Sequence, residues 1–151
     1  MGLDGGDPKV EGGQVVVDAS VVVKWFVDEE YSREARLLRG AYVDGLIELN
    51  APDLLPYEVL NALKYSGAFG EEELKEVAEV LEDYQFSLYG LKGKLAALAV
   101  EVSMRKGMTV YDGSYVALAE MLNSTLYTAD ERLILKVRDP KVVKHVKEFS
   151  I

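Results

Sequence analysis

Short apolar segments alternate with amphipathic stretches along this chain. Residues 15–17 are three valines, a composition typical of a strand buried on both faces of a parallel sheet. The segments IELNAP (47–52), STLYTA (124–129) and KVVKHVKEF (141–149) predict three further strands. Between them, apolar residues recur at helical spacings of three and four. The alternation predicts an α/β fold around a central, mainly parallel sheet.

Helix boundaries are marked by capping residues, glycine and proline. Pro56 lies in the predicted first turn of its helix, where its missing N–H has no intrahelical partner. Three glutamates open another helix, as the helix dipole favours. The predicted helices are SVVVKWF (20–26), a helix from Ser32 to Gly45, DLLPYEVLNALKYSG (53–67), EEELKEVAEVLEDY (71–84), one through Leu91, Leu95, Leu98 and Val102, one that begins at Asp112, and DERLILKVR (130–138).

The domain organisation is simple. Residues 1–13 contain five glycines and no core-forming pattern, so they predict a flexible tail. Residues 14–151 show no linker or repeat and fit one ordinary domain. No apolar run approaches the ~20 residues that span a bilayer. The acidic, glycine-rich start lacks the apolar segment of a signal peptide, so we expect a cytoplasmic protein.

Composition restricts the available chemistry. The chain has no cysteine, which excludes thiolate nucleophiles and thiolate-bound zinc. Its one histidine, His145, is predicted to be an ordinary surface residue in a basic segment. The net charge of −9 argues against nonspecific binding to phosphate backbones, although a bound cation or a local basic patch reverses the sign nearby. Any catalysis must therefore depend mainly on carboxylates.

Asp18, Asp112 and Asp130 each stand between an apolar segment and a predicted helix start. Ligands of open α/β sheets bind beyond the carboxyl ends of the strands, so the three aspartates could share one crevice. Each could equally be an N-cap whose carboxylate accepts backbone N–H groups. The two roles can coexist, and the pattern alone leaves both open. Thr128, two residues before Asp130, could support either role.

Glu58 lies inside a predicted helix. Asn61 and Tyr65 follow it at three and seven residues, so the three side chains share a face. That face is either an ordinary solvated stripe or a wall of the crevice with a fourth carboxylate. Clustered carboxylates raise one another's pKa, and a hard cation such as Mg²⁺ or Mn²⁺ relieves the repulsion. A metal-activated water attacking a phosphodiester needs no histidine.

Four motifs in order give the chain a family resemblance. They are D-A-S-x-x-x-K-W at Asp18, Ala19, Ser20, Lys24 and Trp25; E-x-x-N-A-L at Glu58, Asn61, Ala62 and Leu63; D-x-x-Y-x-A-L-A at Asp112, Tyr115, Ala117, Leu118 and Ala119; and T-x-D-x-x-L at Thr128, Asp130 and Leu133. With these motifs the sequence resembles PIN-domain proteins, especially the VapC-type toxin ribonucleases of toxin–antitoxin pairs. The resemblance runs from about residue 14 to the C-terminus.

The resemblance implies a three-layer α/β/α domain and a Mg²⁺- or Mn²⁺-dependent endoribonuclease. Its implied catalytic and metal-binding residues are Asp18, Glu58, Asp112 and Asp130. Ser20, Asn61 and Thr128 would orient the carboxylates and waters. Lys24 and Arg132, with Lys64 and Lys136, are candidate contacts for RNA, although an ordinary solvated charge is the simpler interpretation of each. Trp25 could stack on a base but is more typical of a core position.

The implied partners are a single-stranded or structured RNA, a cognate antitoxin that inserts a basic or extended segment into the acidic groove, and a second copy of the chain in a homodimer or larger assembly. The −9 charge suits such an antitoxin. Three alternatives remain: a partner-binding or regulatory module of the same fold with weak or no nuclease activity, a phosphoacceptor receiver domain, and a nuclease for structured DNA. The receiver fits poorly, because Asp18 is followed by Ala19 and Ser20 rather than by a second acid.

Overall fold

A five-stranded sheet organises the computed structural model, which describes residues 13–150. In chain order the strands are β1 (Gln14–Val17), β2 (Glu48–Pro52), β3 (Ser87–Tyr89), β4 (Thr125–Thr128) and β5 (Val143–His145). They follow the order β3-β2-β1-β4-β5 across the sheet, and every neighbouring pair is parallel.

Seven α-helices flank the sheet in the described part of the chain. They are α1 (Ala19–Val22), α2 (Ser32–Val43), α3 (Leu55–Ser66), α4 (Glu71–Asp83), α5 (Gly93–Lys106), α6 (Val110–Met121) and α7 (Glu131–Val137). Two 3₁₀ turns, Val23–Trp25 and Val146–Glu148, follow α1 and β5. The predicted α/β fold with a mainly parallel sheet is confirmed.

The core surrounds the central strand β1. Its three valines are at most 5% exposed, because strands pair with both of its edges and helices cover its faces. Trp25 packs here as well: its indole N–H donates to the carbonyl of Ala35 at 2.8 Å, and its ring meets that of Tyr84 edge to face. The core role predicted for Trp25 is therefore confirmed.

Helix α6 lies against β1, β2 and β4, and its residues 113–119 are all buried. It also packs closely on α5. A Cβ atom on Gly113 would lie 2.9 Å from the carbonyl oxygen of Ala99, so only glycine allows the two helices to approach this closely. The contact fixes the first turns of α6, which carry Asp112.

Several predicted boundaries differ from the structure. Helix α6 begins at Val110, two residues before the predicted start at Asp112, because Thr109 is its N-cap. Helix α2 ends at Val43 rather than at Gly45. The predicted closing strand shortens to β5 and a 3₁₀ turn. The pattern predicted no strand at β3, which has three residues and lies at the sheet edge.

The surface position predicted for His145 is wrong, because the residue is only 3% exposed. Its Nδ1 accepts the backbone N–H of Lys147 at 3.0 Å, and its ring meets Tyr31 edge to face. Burial lowers the pKa of the imidazole, and the nearby Lys147 lowers it further. His145 is therefore a neutral core residue near neutral pH.

Within residues 13–150, no helix combines the length and the apolar character needed to cross a bilayer. The flexible tail predicted for residues 1–13 lies outside the described residues except for Gly13.

Candidate acidic site

Asp18 and Asp130 follow the paired parallel strands β1 and β4, at the carboxyl edge of the sheet. The register aligns Val17 with Tyr127, so the two chain segments leave the sheet side by side. This edge is where open α/β sheets bind their ligands. The topology therefore brings these two aspartates, predicted from separate motifs, into one neighbourhood.

Asp18 is held on both of its carboxylate oxygens. Oδ1 accepts the hydroxyl of Ser20 at 2.6 Å and the Ser20 backbone N–H at 3.1 Å. Oδ2 accepts the hydroxyl of Thr128 at 2.5 Å. Ser20 and Thr128 therefore both hydrogen-bond to Asp18, one from the next helix and one from the neighbouring strand.

Burial dominates the electrostatics of Asp18. The residue is 8% exposed, and desolvation raises its pKa to about 6 even though the two hydroxyls favour the ionised form. The negative charge of Asp130 raises the pKa of Asp18 further. The hydrogen bonds to Asp18 therefore do not fully offset the cost of burying its negative charge.

The same hydroxyls link the loops that follow β1 and β4. Ser20 Oγ accepts the backbone N–H of Ala129 at 2.9 Å, and Thr128 Oγ1 accepts that of Asp130 at 3.0 Å. Asp130 in turn caps α7 by accepting the backbone N–H of Arg132 at 3.0 Å. Asp18 caps α1 in the same way through Ser20. The N-cap interpretation is therefore correct for both aspartates and leaves their site roles possible.

Asp112 is not an N-cap. Thr109 occupies that position and accepts the Asp112 backbone N–H at 3.0 Å, so the half-buried carboxylate lies in the first turn of α6. Partial burial raises its pKa, and Asp130 raises it further. Arg132 and Lys136 lower the pKa of Asp112, which means that both cations lie within electrostatic reach of it.

Glu58 is half-buried in α3, and Tyr115 fixes its carboxylate. The phenol donates to Oε1 at 2.8 Å. Burial raises the pKa of Glu58, the Tyr115 hydrogen bond lowers it, and the charge of Asp112 raises it. Tyr115 itself is 2% exposed, and its own pKa is raised by burial and by Glu58. The motif contained Tyr115, but only its position one helical turn after Asp112 could have indicated this contact.

The four acids influence one another without forming a tight cluster. Coulombic repulsion joins Asp18 to Asp130, Asp130 to Asp112, and Asp112 to Glu58. Among the described residues, however, no three acidic or histidine side chains lie close enough together to ligate one metal ion. The donors are nonetheless all carboxylate oxygens, a set that suits a hard divalent cation.

The remaining candidates lie elsewhere or point outward. Asn61 is exposed in the groove between α3 and α4 and makes no recorded hydrogen bond to Glu58 within residues 13–150. Lys24 is 7% exposed and pairs with Glu29 at 2.9 Å, so interpreting it as a solvated charge is wrong. The Arg132 side chain is 88% exposed, with its Nε 3.6 Å from Asp130 Oδ1. Only Arg132 of these three extends toward solvent beside the acids.

We expect Tyr115→Phe to reduce the free energy of unfolding by about 1–2 kcal/mol at pH 8, because it removes a hydrogen bond to an ionised carboxylate. The loss should be smaller at pH 4, where the raised pKa leaves Glu58 largely protonated. Urea unfolding at both pH values measures the difference. Tyr65→Phe is the control, since that ring is 75% exposed. An equal loss at both pH values would mean that the contribution of the Tyr115 hydroxyl does not depend on the charge of Glu58.

Family comparisons place these residues in context. The family model described as PIN domain matches residues 15–139. Ribonuclease VapC3 of Pyrobaculum aerophilum is 34% identical over 127 residues, which cover 82% of this chain and 94% of the relative. Ribonuclease VapC1 of Mycobacterium tuberculosis is 32% identical over 137 residues, covering 89% and 98%.

Solved structures resemble the fold at lower identity. A toxin–antitoxin complex from Klebsiella pneumoniae has a TM-score of 0.66 at 15% identity, covering 91% of this chain and 99% of that one. FitAcB from Neisseria gonorrhoeae has a TM-score of 0.64 at 16% identity, covering 89% and 99%. These likenesses concern the fold. Because the family model and the curated relatives each extend over most of the chain, this protein belongs to the PIN-domain family.

Proposed function

We propose that this protein is a metal-dependent endoribonuclease and the toxin of a toxin–antitoxin pair. The observation that carries the proposal is the state of Asp18, whose carboxylate is buried just beyond the carboxyl end of β1. Hydroxyl groups hydrogen-bond to both of its oxygens, and its pKa is raised to about 6. Holding an under-compensated carboxylate in place is costly for the fold unless a cation binds it. The curated relatives named as VapC ribonucleases support the choice of RNA as substrate.

The donor chemistry fits Mg²⁺ or Mn²⁺, which prefer oxygen ligands. In this proposal Asp18, Glu58, Asp112 and Asp130 are the catalytic and metal-binding residues, and the ion would have to draw them closer together than they lie in the described structure, where no three of them are near enough to ligate one ion. A divalent cation bound there would supply charge stabilisation for the phosphodiester and lower the pKa of a bound water.

The chain's own residues prepare the site in three ways. Ser20 and Thr128 hydrogen-bond to Asp18 from two directions, which fixes the orientation of its carboxylate. Tyr115 holds one oxygen of Glu58 and leaves the other available. Arg132 and Lys136, which already act on Asp112, provide positive charge for the approaching phosphates. Lys24 has no part in this proposal, because it is buried against Glu29.

The deciding experiment measures cleavage of a mixed pool of single-stranded and hairpin RNAs by the full chain. We expect cleavage with Mg²⁺ or Mn²⁺ and none with EDTA. Mapping the cut ends also identifies the target sequence. If folded protein cuts no RNA in either metal while it binds a partner, the alternative of a partner-binding or regulatory module gains.

An antitoxin is the proposed protein partner. The structural neighbours include toxin–antitoxin complexes, and the four acids of the site offer charge complementarity to a basic segment. A groove of about 720 Å³ between α3 and α4, lined by Tyr57, Leu60, Phe69 and Leu74 among others, offers apolar surface for the same partner. A cytoplasmic location stays a prediction.

Self-association is also proposed, as a homodimer or a larger homo-oligomer. Val100 and Met104 are 52% and 80% exposed and lie one turn apart on α5. Burying these two apolar side chains against a second copy would favour association. Light scattering of the purified protein measures its mass directly.

A further inference from the structure

A small apolar cavity lies beside the acidic site and has no role in the chemistry described so far. Its volume is about 220 Å³, below the ~300–1,000 Å³ typical of sites for drug-sized ligands, so it suits a single ring system. The walls come from the ends of β2 and β3 and the first turns of α5 and α6. They include Asp53, Tyr89, Leu95, Tyr111 and Ser114.

Two of the lining residues lie close along the chain to acids of the site. Tyr111 is the residue before Asp112 in α6. Leu54, another lining residue, accepts the backbone N–H of Glu58 at 3.1 Å and lies one helical turn before it. A chain whose phosphate sits at the acids would therefore have its neighbouring unit at the cavity mouth.

The tyrosines differ in a way that suits binding of a planar group. The Tyr89 phenol donates to Asn50 Oδ1 at 3.2 Å, and Asn50 is 1% exposed, so the ring is anchored to the sheet. Tyr111 is 66% exposed. An anchored ring and an exposed ring at one apolar cavity can stack on a base, and such stacking tolerates any base with an aromatic face.

Asp53 adds a polar preference to this lining. Asp53 is an exposed residue of the cavity lining, and its carboxylate oxygens accept hydrogen bonds. The amino groups of adenine, cytosine and guanine donate to a carboxylate. Uracil has no amino group, and its two carbonyl oxygens flank its single N–H.

From this arrangement we infer that the cavity is a nucleobase subsite, which takes an unpaired base next to the cleaved phosphodiester and prefers amino-bearing bases to uracil. The inference rests on the proposed ribonuclease function, since RNA supplies the base. It assigns Tyr111 and Asp53 to substrate selection rather than to catalysis.

The test is binding of the four homotetranucleotides rA₄, rC₄, rG₄ and rU₄ to the full chain in EDTA, followed by amide chemical shifts. We expect shifts at Leu95, Tyr111 and Ser114, and we expect rU₄ to bind most weakly.

Tyr111→Ala should weaken binding about fivefold or more, the loss of one base–aromatic stack. Tyr57→Ala is the matched control, because Tyr57 is 76% exposed and directly precedes Glu58 as Tyr111 precedes Asp112. Asp53→Asn should reduce the difference in affinity between rU₄ and the other three tetranucleotides, since an amide both donates and accepts hydrogen bonds.

The contrary results are specific. Equal binding by wild type and Tyr111→Ala overturns the subsite, as does the absence of cavity shifts with every tetranucleotide. Cavity shifts with N-acetyl-leucine methylamide but with no RNA would assign the cavity to a partner's side chain instead. Metal-dependent cleavage without base binding defeats this inference alone. Base binding by a chain that cleaves no RNA in either metal would overturn the ribonuclease proposal, and the cavity would then be a base site with no cleaved phosphodiester beside it.

Discussion

Asp112→Asn should reduce metal-dependent RNA cleavage by more than about a hundredfold, the scale on which removing a charged group from a catalytic site acts. The variant keeps the shape of the side chain. It removes the negative charge that repels both Glu58 and Asp130. The helix start is independent of the change, because Thr109 and not Asp112 caps α6. Initial rates on one mapped RNA substrate, with Mg²⁺ or Mn²⁺ in excess, measure the loss.

Glu120→Gln is the matched control for Asp112→Asn. It neutralises another acid of α6, two turns further along, whose partner is Arg105 at 3.7 Å. We expect nearly full activity from this control. Retained activity in Asp112→Asn would remove Asp112 from the site, and equal losses in both variants would point to damage to α6 instead.

Asp18→Asn should abolish cleavage and, without metal, stabilise the fold at pH 8 by about 1–3 kcal/mol. A carboxyl pKa raised from 3.8 to about 6 corresponds to roughly 3 kcal/mol of lost stability once the group is ionised in both states. The amide can keep the contacts: its oxygen accepts from Ser20, and its NH₂ donates to the Thr128 hydroxyl oxygen.

The pH dependence gives this prediction its sign. Near pH 4 and below, the wild-type carboxyl group of Asp18 is mostly protonated in the folded chain, so Asp18→Asn and wild type should have similar free energies of unfolding. As the pH rises through 3.8 the unfolded chain ionises first, and wild type loses stability until the folded group ionises near pH 6. Asp18→Asn lacks this loss. The shifts of Glu58 and Asp112 occur in both proteins and largely cancel from the difference.

Urea unfolding in EDTA at pH 4, 6 and 8 measures the effect, with Asp44→Asn on the exposed end of α2 as the control. Added Mn²⁺ should then raise the stability of wild type but not of Asp18→Asn, because a ligand stabilises only the protein that binds it. A destabilised Asp18→Asn at pH 8 would mean that Asp18 serves mainly as the cap of α1.

The elements that sequence patterns predicted well are those with strong local signals. The three valines of β1 and the acids that open α4 determine their own structure, because burial and the helix dipole act through neighbouring residues. β3 escaped prediction since three residues at an edge carry no periodicity, and its pairing with β2 is what makes it a strand. His145 was misassigned because its burial depends on Tyr31, far away in sequence.

The candidate site divides in the same way. The motifs located Asp18 and Thr128 in separate segments, but their hydrogen bond spans 110 positions and depends on the pairing of β1 with β4. The contact of Tyr115 with Glu58 likewise needs α3 and α6 to be placed on one sheet. The start of α6 was missed because Thr109 caps the helix and its hydroxyl oxygen accepts the Asp112 backbone N–H, which places Asp112 inside the first turn.

Because α6 approaches α5 so closely at Gly113, a change at this one uncharged position would weaken the activity proposed for the acidic site. Any side chain at 113 would meet the Ala99 carbonyl oxygen at 2.9 Å and force the helices apart, carrying Asp112 with α6. Gly113→Ala would thus disturb the position of Asp112 through one added methyl group, with every carboxylate of the sequence unchanged. Inventories of acidic residues alone would score such an allele as intact.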